Sequence, residues 1–114
     1  MKGLVYRPPC DAQDRFQPWL NDLRNQSGAY VVRNRESGVV LYVGMSQGQL
    51  AKTIKRHFWD WKDSPDRPHR VYQRERVEVA VRLCPPTAAL GAERNLVRRL
   101  NPRDNGNGWG KKPY

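Results

Sequence analysis

Residues 27–47, SGAYVVRNRESGVVLYVGMSQ, decide how the rest of the chain is read. Two short runs, AYVVR at 29–33 and VVLYVG at 39–44, are β-branched and aromatic, the composition of strands. Between them NRESG, with its asparagine and glycine, suits a hairpin turn. Each run carries one tyrosine near one glycine: Tyr30 after Gly28, and Tyr42 before Gly44. A plain hairpin needs neither phenols nor glycines at these positions.

Outward from the hairpin the period changes. DRFQPWLNDLRNQSG, before it, reads as a short helix with Pro18 in the first turn, Trp19, Leu20 and Leu23 on an apolar side, and Gly28 just past the end. GQLAKTIKRHFWDWK, after it, has Leu50, Ile54, Phe58 and Trp61 at three- and four-residue steps, a helical spacing. DSPDRPH is a loop. RVEVAVRL alternates, with Val77, Val79, Val81 and Leu83 on one side and Arg76, Glu78, Ala80 and Arg82 on the other, which predicts a third strand with one buried face. PPTAALGAERNLVRRLNP predicts a last helix with Thr87 as N-cap and Pro102 as stop. The order helix, strand, strand, helix, strand, helix predicts a small α+β (α/β) domain, a three-stranded, mainly antiparallel sheet with flanking helices. Residues 1–27 form an N-terminal extension, 28–105 the domain proper, and 106–114 a basic, glycine-rich tail.

With 114 residues there is room for one core. The formal net charge of +10 favours a polyanionic partner. Cys10 and Cys84 have no companions at metal-ligand spacing and read as reduced thiols. The N-terminus lacks the apolar segment of a signal peptide, and no apolar run is long enough to cross a bilayer. A soluble, cytoplasmic protein is expected.

Two helices carry a polar residue where an apolar one belongs. In the last helix the apolar stripe runs through Leu90, Val97 and Leu100 with Ala89 beside it, and Glu93 falls on it. A carboxylate there is neutralised, hydrogen-bonded, paired with an arginine, or bound to a metal. In the middle helix His57 lies three after Ile54 and four before Trp61, where a structural histidine is the commoner reading. Its other side bears Lys52, Arg56 and Trp59, which read as a solvated face or as cations and an aromatic for a phosphate backbone and an exposed base.

GAY, then LYVG, then a helix with KRHF, then a helix with AERNLVRRL, then NPRDN: this ordered set resembles the GIY-YIG nuclease family over residues 28–105. The resemblance implies a metal-dependent endonuclease, acting on DNA rather than RNA. It puts the motif tyrosines at Tyr30 and Tyr42, facing one catalytic pocket that the sheet closes on at Gly28 and Gly44. It puts the helix histidine at His57, the metal-binding glutamate at Glu93 and a supporting asparagine at Asn105. One divalent ion, Mg²⁺ or Mn²⁺, needs few protein ligands, which suits a single glutamate. Tyrosine, with an ordinary pKa near ~10, is a poor base unless positive neighbours lower it. Tyr42 is assigned as the general base, with Tyr30 and His57 orienting the water or relaying its proton.

One departure stands out. The family's arginine, a turn before the histidine, falls on Thr53 or Lys52, and no arginine precedes Arg56 in this helix. Lys52 supplies charge without the bidentate fork, and Arg74, at the lip of the third strand, is the other candidate. The alternatives to the nuclease are a non-catalytic nucleic-acid-binding module on the same fold and a basic ribosome-associated or RNA-packaging protein. Neither gives a reason for Glu93.

Overall fold

The computed structural model describes residues 3–13, 15–58 and 72–105. Trp59, Trp61, the loop at 63–69 and the tail at 106–114 lie outside the described residues. Three strands, β1 (Ser27–Asn34), β2 (Val40–Gln47) and β3 (Val77–Leu83), form one antiparallel sheet in the order β2-β1-β3. The helices are α1 (Pro18–Asn21), α2 (Leu50–Lys55) and α3 (Ala89–Leu100), with 3₁₀ turns at Pro86–Ala88 and Arg103–Asn105. The hairpin forms where NRESG places it. The Asn34 side chain accepts from the backbone N–H groups of Glu36 and Ser37, 2.9 Å each, and Gly38 N–H closes onto Asn34 C=O. Among the described residues no helix is long and apolar enough to cross a membrane.

The sheet is covered on both faces, so the core has two parts. On one face Tyr30, Val32, Tyr42, Val77 and Val79 pack with Leu20 and Leu23 and with Leu50, Ala51, Ile54 and Phe58. On the other Ala29, Val31 and Val43 meet Leu96 of α3, with Leu4 and Tyr6 from the N-terminal segment. That segment is part of the packed body. Arg7 pairs with Val79 beside β3, and the Trp19 indole donates to Pro8 C=O at 3.0 Å. A β-bulge between Val32 and Arg33 leaves one extra residue in β2, so consecutive Leu41 and Tyr42 share the first cluster.

Several local expectations need correction. The third strand does not have a single buried face: Ala80 is 1% exposed, because the second layer covers its side too. Leu83 is 55% exposed, lying where β3 runs out past the core. Thr87 is not an N-cap. Pro85 and Pro86 start a 3₁₀ turn with their own fixed φ, and α3 follows from Ala88 with no side-chain cap. Of the predicted stripe on α3, Val97 and Leu100 pack against the second cluster and Ala89 is buried, but Leu90 is 40% exposed; Leu96 is the buried leucine, with Ala92 partly buried beside it. The stop at Pro102 holds, with Asn101 in the left-handed region closing the helix.

Candidate active site

Tyr30, Tyr42 and His57 come together on the α2 side of the sheet. Tyr30 is 2% exposed, and its hydroxyl lies 2.8 Å from His57 Nε2. The Tyr42 ring centre is 5.0 Å from the imidazole and 6.2 Å from the Tyr30 ring. Pairing register explains the arrangement. Tyr30 stands opposite Gly44, and Tyr42 opposite Val32, so all four point to one face. The Tyr30 ring lies across Gly44, where a Cβ would collide with its hydroxyl end. The glycine is the floor that lets the phenol lie flat toward α2. Gly28 has a different role: it faces β3, and a Cβ there would strike the Arg82 carbonyl. His57 ends the turn after α2, its N–H bonded to Ile54 C=O at 3.1 Å and its C=O accepting from Tyr72 N–H at 2.7 Å. The phenol that hydrogen-bonds the imidazole is therefore Tyr30, with Tyr42 in ring contact beside it.

Two residues missed in the sequence complete the frame. Tyr72 places its ring 5.7 Å from His57 and donates its hydroxyl to Asp104 Oδ2 at 2.7 Å. Asp104 is buried and holds the Arg103 guanidinium in a fork at 2.7 and 2.9 Å. The next residue, Asn105, accepts from Val43 N–H at 2.7 Å and donates to Val43 C=O at 2.9 Å. Val43 sits between Tyr42 and Gly44 on the edge strand, so the carboxamide stands in for a missing fourth strand. The tripeptide thus grips β2 with one residue and the His57 end of α2, through Tyr72, with another. Asn105→Ala is expected to lower the unfolding free energy by about 2 kcal/mol, since it strands two backbone groups. Chemical denaturation, with faster amide exchange at Val43, reads the effect. The sequence signal was thin: an aspartate beside the expected asparagine, and a tyrosine just past a loop.

Glu93 lies on α3, which packs on the opposite face of the sheet, and it makes no hydrogen bond to either tyrosine. It is half-buried on the apolar side. Burial raises its carboxyl pKa above the ordinary value, against a smaller lowering by Arg94. Among the described residues it has neither a hydrogen-bond nor an ion-pair partner, so the arginine salt bridge that could explain it is not there. No group of three or more His, Cys, Asp or Glu side chains converges among the described residues. A partnerless, desolvated carboxylate fits a hard cation that keeps most of its waters.

The cations are distributed unevenly. Lys52 and Arg56 are exposed on the outer side of α2. Arg74 is drawn to a carbonyl next to the histidine. Its guanidinium donates to Phe58 C=O and stands 5.3 Å from the Phe16 ring centre, with Cys10 Sγ at 4.0 Å. Trp59 lies outside the described residues. No protein-family model matches the chain, and no curated protein matches it either.

Proposed function

We propose that the protein is a metal-dependent endonuclease that hydrolyses phosphodiester bonds of nucleic acid, DNA rather than RNA, through a site of the GIY-YIG kind. The observation that carries this reading is a pair of titratable features set among apolar residues. One is a phenol hydrogen-bonded to a buried imidazole. The other is a half-buried glutamate with no partner among the described residues. A net charge of +10 gives the substrate its attraction.

In this reading the Tyr30–His57 pair handles the proton. An imidazole accepting from the phenol stabilises loss of its hydrogen, which allows Tyr30 to take a proton from water in turn. That shifts the base assigned to Tyr42 toward its neighbour, and leaves Tyr42 to orient the water or relay its proton. Glu93 would hold Mg²⁺ or Mn²⁺, which when bound neutralises charge developing on the phosphoryl oxygens. Arg74, already turned to Phe58 C=O, and Lys52 are the candidates for the charge that an arginine on α2 would give. Cys10 and Cys84 are not joined in a disulfide, which suits a reducing, cytoplasmic setting.

The second reading, a binding module without chemistry, is favoured by one observation: α3, the helix that carries Glu93, packs on the face of the sheet opposite the tyrosines. Labelled single-stranded, duplex, flapped and RNA substrates, with Mg²⁺, Mn²⁺ or chelator, decide between them. Cleavage that chelator abolishes is the expected result. Binding without cleavage on every substrate would leave the module. Binding is also expected to weaken steeply with salt, as released counterions require, and a flat response would remove nucleic acid as the partner.

A further inference from the structure

α1 runs into a turn over residues 22–25, and the start of α2 is tied to it by a hydrogen bond from Leu50 N–H to Gln26 C=O, 3.1 Å. Between turn and helix lies a cleft of about 430 Å³, lined by Asn21, Arg24, Asn25, Gln49, Lys52 and Lys55. Among the described residues its polar chemistry is one-sided: three cations, three carboxamides and no carboxylate. None of the three cations is ion-paired to a described residue. Lys55 is held in place, its ammonium donating to Asn21 Oδ1 at 2.6 Å and standing 5.3 Å from the Phe16 ring centre. That hydrogen bond uses the Asn21 oxygen and leaves its amide N–H₂ as a donor.

We propose that this cleft seats backbone phosphates of a polynucleotide strand, beside the cleavage site and independent of base sequence. Donors and uncompensated positive charge from two elements match phosphate oxygens. Among the described residues no aromatic side chain lines the cleft, so they offer no stacking wall for a base. Lys52 and Lys55 are three residues apart, roughly 4.5 Å along the helix, so they serve neighbouring oxygens of one strand rather than distant points on a duplex. His57 follows Lys55 by two residues, so the cleft and the proposed chemistry share one short segment of chain.

The inference rests on the nucleic-acid reading above, and the test separates the two. Fluorescence anisotropy of a labelled single strand is followed against salt, with chelator present, for the parent and for Arg24→Gln/Lys55→Gln. The parent is expected to show a steep salt slope, and the double variant a slope smaller by roughly 1.4, about 0.7 for each phosphate of a single strand that is no longer neutralised. Its affinity at low salt should fall on the order of tenfold or more. A parent that binds steeply and a folded variant with the same slope would overturn the cleft while leaving the nucleic-acid partner in place. A parent that does not bind overturns both. Competition by inorganic pyrophosphate at concentrations far below those needed of the strand would also overturn the proposal, since the cleft would then belong to a small phosphate ligand. Arg24 is exposed, so Arg24→Gln alone, with half the slope change, carries the test if breaking the Lys55–Asn21 hydrogen bond unfolds the double variant.

Discussion

Glu93→Gln is expected to give a folded protein that binds nucleic acid and does not cut it. The change keeps size and most hydrogen-bonding capacity and removes the charge that a divalent ion requires. Several kcal/mol of missing charge stabilisation correspond to a fall on the order of a thousandfold in cleavage. Stability is expected to move the other way. Burial raises the Glu93 carboxyl pKa in the folded protein, so the native state binds that proton more tightly than the unfolded chain. The carboxyl group therefore does not oppose folding below its ordinary value. Stability is lost as pH rises from there through the raised folded value. The glutamine variant has no such loss, so its thermal midpoint at neutral pH should be higher. The gain is a few degrees at most, because the group is only half-buried and water screens it. Mg²⁺ should raise the midpoint of the parent and not that of the variant, since a ligand stabilises only the state it binds. A variant that cuts at near-parent rate would remove the metal role.

Gly44→Ala is expected to damage both stability and chemistry. The added methyl occupies the space of the Tyr30 phenol, whose ring is buried and cannot swing into solvent. Forcing the ring aside is an overpacking change of about 1–3 kcal/mol. It also breaks the Tyr30–His57 hydrogen bond, and misplacement of a reacting group by about 1 Å lowers rate on the order of a hundredfold. Tyr30→Phe separates the two consequences. It keeps the ring over Gly44 and loses one buried hydrogen bond, so its stability loss is that of the bond alone, about 1 kcal/mol, without repacking the core, and it should cut as poorly as Gly44→Ala. Gly44→Ala with parent-like melting and cleavage would mean that the ring does not rest on the glycine.

Much of the architecture was legible because it is written in local periods. The two β-branched runs around NRESG pair as a hairpin, and the alternating third run completes the sheet. Leu50, Ile54 and Phe58 are all buried, as their spacing predicts. Where pattern and structure part, a second layer is the reason. Alternation alone left Ala80 outward, and only packing from the N-terminal segment and α3 makes both faces of the sheet interior. Leu90 looked like a member of the stripe on α3, but it is 40% exposed, and the helix meets the sheet along Ala92, Leu96, Val97 and Leu100.

For the candidate site, the chain by itself determined which residues are out of place chemically. Two phenols beside glycines, a histidine and a glutamate on apolar helix sides, and a large excess of cations are all features of order and spacing. Their relative positions belong to the tertiary structure. Register, which a one-residue slip would reverse, put Tyr30 over Gly44 and aimed its hydroxyl at His57. Long-range hydrogen bonds made Asp104 and Asn105 a clamp on Tyr72 and Val43, partners separated from them by 32 and 62 residues. The choice of sheet face put α3, the helix of Glu93, across the sheet from the phenols, and Glu93 has no salt bridge among the described residues. Such facts escape a sequence because each depends on where two distant segments meet, and that is settled only when both cores have closed on the sheet.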